Sequence, residues 1–228
     1  MIQRFILAGV VTLLSSVLPA QDAAVRGHIT VVHGDKKQAG NGDVVVWLTP
    51  LAGPVLAPNS TSTVRLVQKH KQFTPHLLVI KAGTAIDFPN QDPFFHDVFS
   101  IYRGKPFDLG LYESGAVRRV AFSQPGVSYI FCNIHPEMSA IVVALQTPYF
   151  AATAASGDFQ IAHLQPGRYT LEVWYEFASQ SELAHSKREI EIGNAENAPI
   201  NLTLHSTESV REHLNKYGEP YAAEKQTY

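Results

Sequence analysis

Apolar and polar residues alternate along most of this chain in short runs. In Gly167-Arg168-Tyr169-Thr170-Leu171-Glu172-Val173-Trp174, apolar side chains fall on every second position until the end of the run. That is the period of a half-buried β-strand. Comparable strand-like runs cover Val25 to Val32, Val44 to Leu48, Thr63 to Val67, Leu77 to Val79, Thr84 to Phe88 and Asp97 to Ile101. Others cover Arg118 to Phe122, Val127 to Cys132, Ala140 to Leu145, Asp158 to Ala162, Arg188 to Ile192 and Ile200 to His205. Turn-forming groups separate them, among them Pro89-Asn90-Gln91-Asp92-Pro93, Gln124-Pro125-Gly126 and Gln165-Pro166-Gly167. Helical spacing is scarce before residue 206. The pattern predicts an all-β chain, with one short surface helix over Thr207 to Tyr217 ending at Gly218 and a loose end beyond it.

Composition changes along the chain mark its segments. Residues 1–20 read as a secretory signal: Arg4 comes first, Phe5 to Leu18 is mostly apolar, and Pro19-Ala20 precedes polar Gln21-Asp22. The run is shorter than the roughly 20 residues a membrane span needs, and no other segment is apolar enough to span once the signal is cleaved. Leu51 to Thr61, rich in Pro, Ala and Ser, reads as a linker, and Thr147-Pro148-Tyr149 marks a second boundary. Removing 1–20 takes away Arg4 and moves the formal charge from −2 to −3. So small and mixed a charge gives no sign of a nucleic-acid partner.

The chain holds one Cys, Cys132, and two Met, of which Met1 lies in the leader and Met138 remains. An exported chain with one Cys cannot close an internal disulfide, and a free thiol is a liability in an oxidising compartment unless something binds it. Cys132 and Met138 stand six positions apart with His135 between them. Thiolate, imidazole and thioether are the donors of a copper electron-transfer site, and His96 is the natural second imidazole. A strand ending at Cys132 followed by a tight loop would turn His135 and Met138 back toward the sulfur. The other eight histidines have no second soft ligand close in sequence and are assigned to surface or strand positions. Asp87, Asp92, Asp97 and Asp108 are read as solvated carboxylates. Neither a phosphate-binding Gly loop nor a Ser nucleophile elbow is present, and the chain is not expected to be an enzyme.

Several motifs resemble a known family. Phe73-x-Pro75, Val79 through Gly83-Thr84, Ile86-x-Phe88-x-Asn90 and His96-x-Val98-x-Ser100 are similar to the opening segments of cupredoxins of the plastocyanin, amicyanin and pseudoazurin group. Phe122-x-x-Pro125-Gly126-x-x-Tyr129-x-Phe131-Cys132-x-x-His135-x-x-Met138 resembles the closing signature of that group. The likeness covers residues 62–147. It implies a Greek-key β-barrel or sandwich holding one type 1 (blue) copper through His96, Cys132, His135 and Met138. One position departs: the family usually has an Asn after the first His, bracing the Cys loop, and this chain has Asp97.

A second likeness flanks the first. Ser156-Gly157-Asp158-Phe159-x-Ile161-x-x-Leu164-x-Pro166-Gly167-x-Tyr169-x-Leu171-x-Val173 resembles the second half of a carboxypeptidase regulatory-like, prealbumin-type β-sandwich. Residues 21–50 are similar to its first half, and 148–205 would complete it around the inserted barrel, leaving 206–228 as a polar tail. The arrangement resembles bacterial methylamine-utilization and plastocyanin-like proteins. It implies a redox setting, and the first reading is an exported, periplasmic carrier of single electrons whose redox protein partner docks near His135. Two other readings stand beside it. One is copper carriage or sensing. The other is a carbohydrate-binding or envelope scaffold, in which Trp47, Trp174 and Tyr175 could stack on sugar, although packing is the simpler use of these rings.

Overall fold

The structure is a computed structural model that describes residues 23–34, 36–37, 42–53, 64–101, 104–194, 197–207 and 213–221. The signal expected over 1–20 lies outside these residues, as does most of the expected linker. The chain is an all-β sandwich. Its strands run in order β1 (Ala23–His33), β2 (Lys36–Lys37), β3 (Val45–Pro50), β4 (Val64–Arg65), β5 (Val67–Lys69), β6 (Gln72–Thr74), β7 (Leu77–Lys81), β8 (Thr84–Pro89) and β9 (His96–Ser100). Then follow β10 (Phe107–Tyr112), β11 (Val117–Phe122), β12 (Gly126–Cys132), β13 (Ser139–Leu145), β14 (Phe150–Ala152), β15 (Asp158–Leu164) and β16 (Gly167–Trp174). The helix α1 (Gln180–Ser186) and strands β17 (Arg188–Ile192) and β18 (Ile200–Ser206) complete the order. Among the described residues no helix is long and apolar enough to cross a membrane.

Two layered units result. In the inner one, a five-stranded sheet of order β10-β9-β12-β13-β7 faces a three-stranded sheet of order β11-β8-β4. Leu66, Ile86, Phe88, Val98, Tyr112, Ile130, Cys132 and Met138 lie in the core between them. In the outer unit, β1 pairs antiparallel with β15 and parallel with β18, while β3 sits between β14 and β16. Val25, Ile29, Val31, Leu48, Phe159 and Leu171 pack in that second core.

Strand β13 forms a wall common to both units. Side chains alternate across a strand, so Ala140, Val142 and Ala144 enter the inner core. Ile141, Val143 and Leu145 point the other way and meet Val45 and Trp174. An uninterrupted apolar run is what burial on both faces demands. Trp174 and Tyr175 are buried in different cores, so the aromatic trio forms no common stacking face.

Several elements depart from the sequence expectation, the short strands β2, β6 and β14 among them. α1 lies where no helix was expected, and it buries none of its residues. Ser179 caps it, its hydroxyl accepting from the Glu182 amide, a Ser-x-x-Glu signal legible in the sequence. β10 is not among the expected strands, although Phe107-Asp108-Leu109-Gly110-Leu111 alternates in sequence; a bulge between Asp108 and Leu111, where Gly110 has φ +65°, turns Leu111 out to solvent and buries Tyr112. The helix expected over Thr207 to Tyr217 is not found in its described part: 213–215 has no regular structure and 216–217 forms a turn.

Candidate metal centre

The site begins with sheet order. β9 and β12 are antiparallel neighbours, with Cys132 opposite Val98. The start of β9 therefore lies beside the end of β12, which brings His96 and Cys132 to one edge although they are 36 positions apart. β12 continues into β13 through a tight loop. The Met138 amide donates to the His135 carbonyl (3.1 Å) and the Cys132 amide donates to the Met138 carbonyl (3.3 Å). This closure brings His135 back over the sulfur.

Three donor atoms converge. Cys132 Sγ lies 3.6 Å from His96 Nδ1 and 3.5 Å from His135 Nδ1, and the two Nδ1 atoms are 3.2 Å apart. Cys132 and His96 are fully buried and His135 is half-buried. Met138 is fully buried in the core that also holds Cys132. Phe94 covers the two imidazoles, its ring 5.4 Å from each. Burial pushes the Cys132 thiol above its ordinary range, while backbone N–H groups of Asp97, Ile134 and His135 favour the thiolate. Burial and the charge of His96 hold His135 below its ordinary value, which keeps its imidazole neutral and able to ligate.

The carboxylates are not uniformly solvated. Asp87, Asp92 and Asp97 are buried, which corrects the sequence reading of them. Asp92 Oδ2 lies 2.9 Å from His96 Nε2. Nε2–H therefore donates to the carboxylate, and the Nδ1 lone pair is left facing the sulfur. The amides of His70 (2.6 Å) and Lys71 (3.0 Å) also donate to Asp92. Both residues have positive φ, at 57° and 53°, in the tight turn of the β5–β6 hairpin. Burial works against the charge on Asp92, but the Lys71 amide, His96 and the His70 amide outweigh it and hold its carboxyl below the usual range. Asn90 braces the 90–94 turn that carries Asp92, accepting from the Asp92 amide and donating to the Phe94 carbonyl.

The polar segment 213–221 was expected to be a surface helix and loose end, yet it lies against the site. The His213 ring stacks on Phe131 at 3.9 Å, and its Nε2–H donates to the Pro136 carbonyl (2.8 Å). The Tyr221 hydroxyl donates to the Cys132 carbonyl (3.0 Å). Lys216 Nζ meets Asp97 (2.9 Å) and Asp108 (3.0 Å). Asp97 also accepts from the Asn133 side-chain amide (3.1 Å), so it occupies the bracing position with a charged group.

No protein-family model matches this sequence, and no curated protein sequence does. Solved structures with similar chains include the Cu-containing nitrite reductase of Thermus scotoductus SA-01, at 28% identity and TM-score 0.35. That match covers 42% of this chain and 25% of the reductase, so this chain spans about a quarter of that protein's length. A novel purple cupredoxin from Nitrosopumilus maritimus is 22% identical over 36% of this chain and 98% of that one, with TM-score 0.33. Amicyanin from Paracoccus versutus is 21% identical over 42% of this chain and 96% of that one, with TM-score 0.33. Residues 64–145 thus form two facing sheets with His96 and the Cys132–Met138 loop at one edge.

Proposed function

We propose that the inner unit binds one copper ion in a type 1 site and that the protein is an exported, periplasmic carrier of single electrons. The observation that carries this reading is the buried convergence of two imidazole nitrogens and one sulfur, with Met138 at the end of the same loop. The donor set fits the metal. Thiolate and imidazole suit copper and thioether is a weak axial ligand, whereas structural zinc takes four strong ligands. His96, Cys132 and His135 would be the strong ligands and Met138 the weak one. Copper held there would alternate between Cu(I) and Cu(II) and so carry one electron.

The surrounding residues serve that role. Asp92 fixes the orientation of His96. Phe94 and the core keep water from the donors. His135 reaches the surface beside Ile134 (45% exposed) and Phe95 (50% exposed), an apolar edge against which a redox protein would dock through a small, transient interface.

The test begins with Cu(II) added to the purified protein. An intense visible thiolate-to-copper band is expected, with slow release to a chelator and fast exchange with small redox reagents. Ile134→Glu should leave the band in place and slow exchange with a protein partner. Metal binding without the band would overturn the copper assignment. Copper stripped within seconds, with no electron exchange, would make the protein a copper courier instead.

A further inference from the structure

We propose that residues 213–221 are a positioning strap for the ligand loop, and that Lys216 tunes the site's oxidation-state preference by cancelling the charge of Asp97. The proposal rests on the copper reading for its electronic half only. The strap touches the loop at successive points: His213 on Phe131 and Pro136, Lys216 N–H on Asn133 Oδ1 (3.0 Å), and the Tyr221 hydroxyl on the Cys132 carbonyl. Apolar burial does not explain its course. Leu214 and Tyr217 are exposed, and 213–221 contains no regular element. Its polar bonds to Cys132, Asn133 and Pro136, together with the His213 ring on Phe131, are what fix its path.

Asp97 gives the strap an electrostatic task. A neutral amide next to His96 could brace the loop without adding charge. Asp97 instead places a buried carboxylate one residue from a ligand, and among the described residues its Oδ1 has no hydrogen-bond partner. An uncompensated buried charge is costly, and a negative one favours the more positive oxidised metal. Lys216 is mostly buried and sits between Asp97 and Asp108, supplying the cancelling charge. The strap therefore raises the preference for Cu(I) while Asn133, held by both Asp97 and Lys216, keeps the Cys132 loop in register.

The experiment uses the full chain in four forms: wild type, Lys216→Arg, Lys216→Met, and Asp97→Asn with Lys216→Met. The copper-loaded forms are poised at one fixed potential and their Cu(II)-to-Cu(I) ratio is read from the visible band. Lys216→Met should raise the ratio roughly tenfold, the size expected for a unit charge ~10 Å away at an effective dielectric constant of ~20. Tenfold corresponds to about 59 mV for one electron. Lys216→Arg should stay near wild type, and the double variant should return toward it, because neutral Asn needs no cation. In the metal-free proteins, amide hydrogen exchange over 133–138 should quicken in Lys216→Met. An unchanged ratio in Lys216→Met, or a double variant shifted as far as the single one, overturns the tuning role. Unchanged exchange overturns the strap. A wild type with no thiolate band would sink the copper reading, and the exchange measurement would still decide the strap.

Discussion

Replacing Cys132 with Ser should abolish the visible absorption of the copper-loaded protein while leaving the β-fold in place. The band requires charge donation from a thiolate, and an alcohol neither ionises at neutral pH nor matches copper as a soft donor. The fold should tolerate the change. Ser differs from Cys by one atom, and the backbone N–H groups directed at the sulfur can donate to an oxygen in its place. A satisfied buried hydroxyl costs on the order of 1 kcal/mol. The measurements are the visible spectrum with Cu(II) and the circular dichroism and Tm of the metal-free variant. A variant that stays blue would remove Cys132 from the ligand set. Loss of colour together with loss of fold would require Cys132→Ala as a second variant, which should be folded and colourless.

Asp92→Asn should lower copper affinity by about 10–100-fold, the usual cost of losing a group that orients a metal-bound histidine. The shape of the side chain is kept, and its remaining oxygen can still accept from one hairpin amide. The charge that raises the basicity of His96 is lost. The visible band should persist, because the thiolate is untouched. Competition against a copper chelator measures the change, and an affinity equal to wild type would show that the 2.9 Å contact does not act on the metal. Asp87 provides the contrast. Its carboxylate pairs with Arg119 (2.5 and 2.9 Å) on the three-stranded sheet, away from the donors, so Asp87→Asn should leave affinity unchanged.

The residues that converge were legible because most of them are local. Cys132, His135 and Met138 share one loop, and their chemistry shows in their spacing. His96 needed only the pairing of two adjacent strands. The continuous apolar run of β13 likewise announced burial on both faces, although a sequence does not say which core lies on which side. Asp92 was not legible. A carboxylate in a Pro-rich turn reads the same whether it faces water or a histidine, and the difference is made by the turn at His70 and Lys71. The strap was hidden for a related reason. Residues 213–221 have no periodicity, and their bonds go to Cys132, Asn133 and Pro136, at separations as large as 89 positions. β10 shows a further limit: Phe107, Leu109 and Leu111 alternate in sequence, but the bulge at Gly110 exposes Leu111 and buries Tyr112, which alternation does not foretell.

The pairing of β1 sets a timetable for the chain. Its antiparallel partner β15 begins at Asp158, 130 positions beyond His28, and its parallel partner β18 ends later still. Every strand of the inner unit, from β4 to β13, will have left the ribosome before either partner exists. Distant pairings close slowly, because loop entropy is lost before contacts reward it. The inner unit should therefore collapse first, with β1 paired only at its end, to β2. The two tryptophans record the later event, since Trp47 and Trp174 belong to the outer unit and pack where it meets β13. During refolding, competence to take up copper should precede recovery of native tryptophan fluorescence, and simultaneous recovery would mean that the two units condense as one.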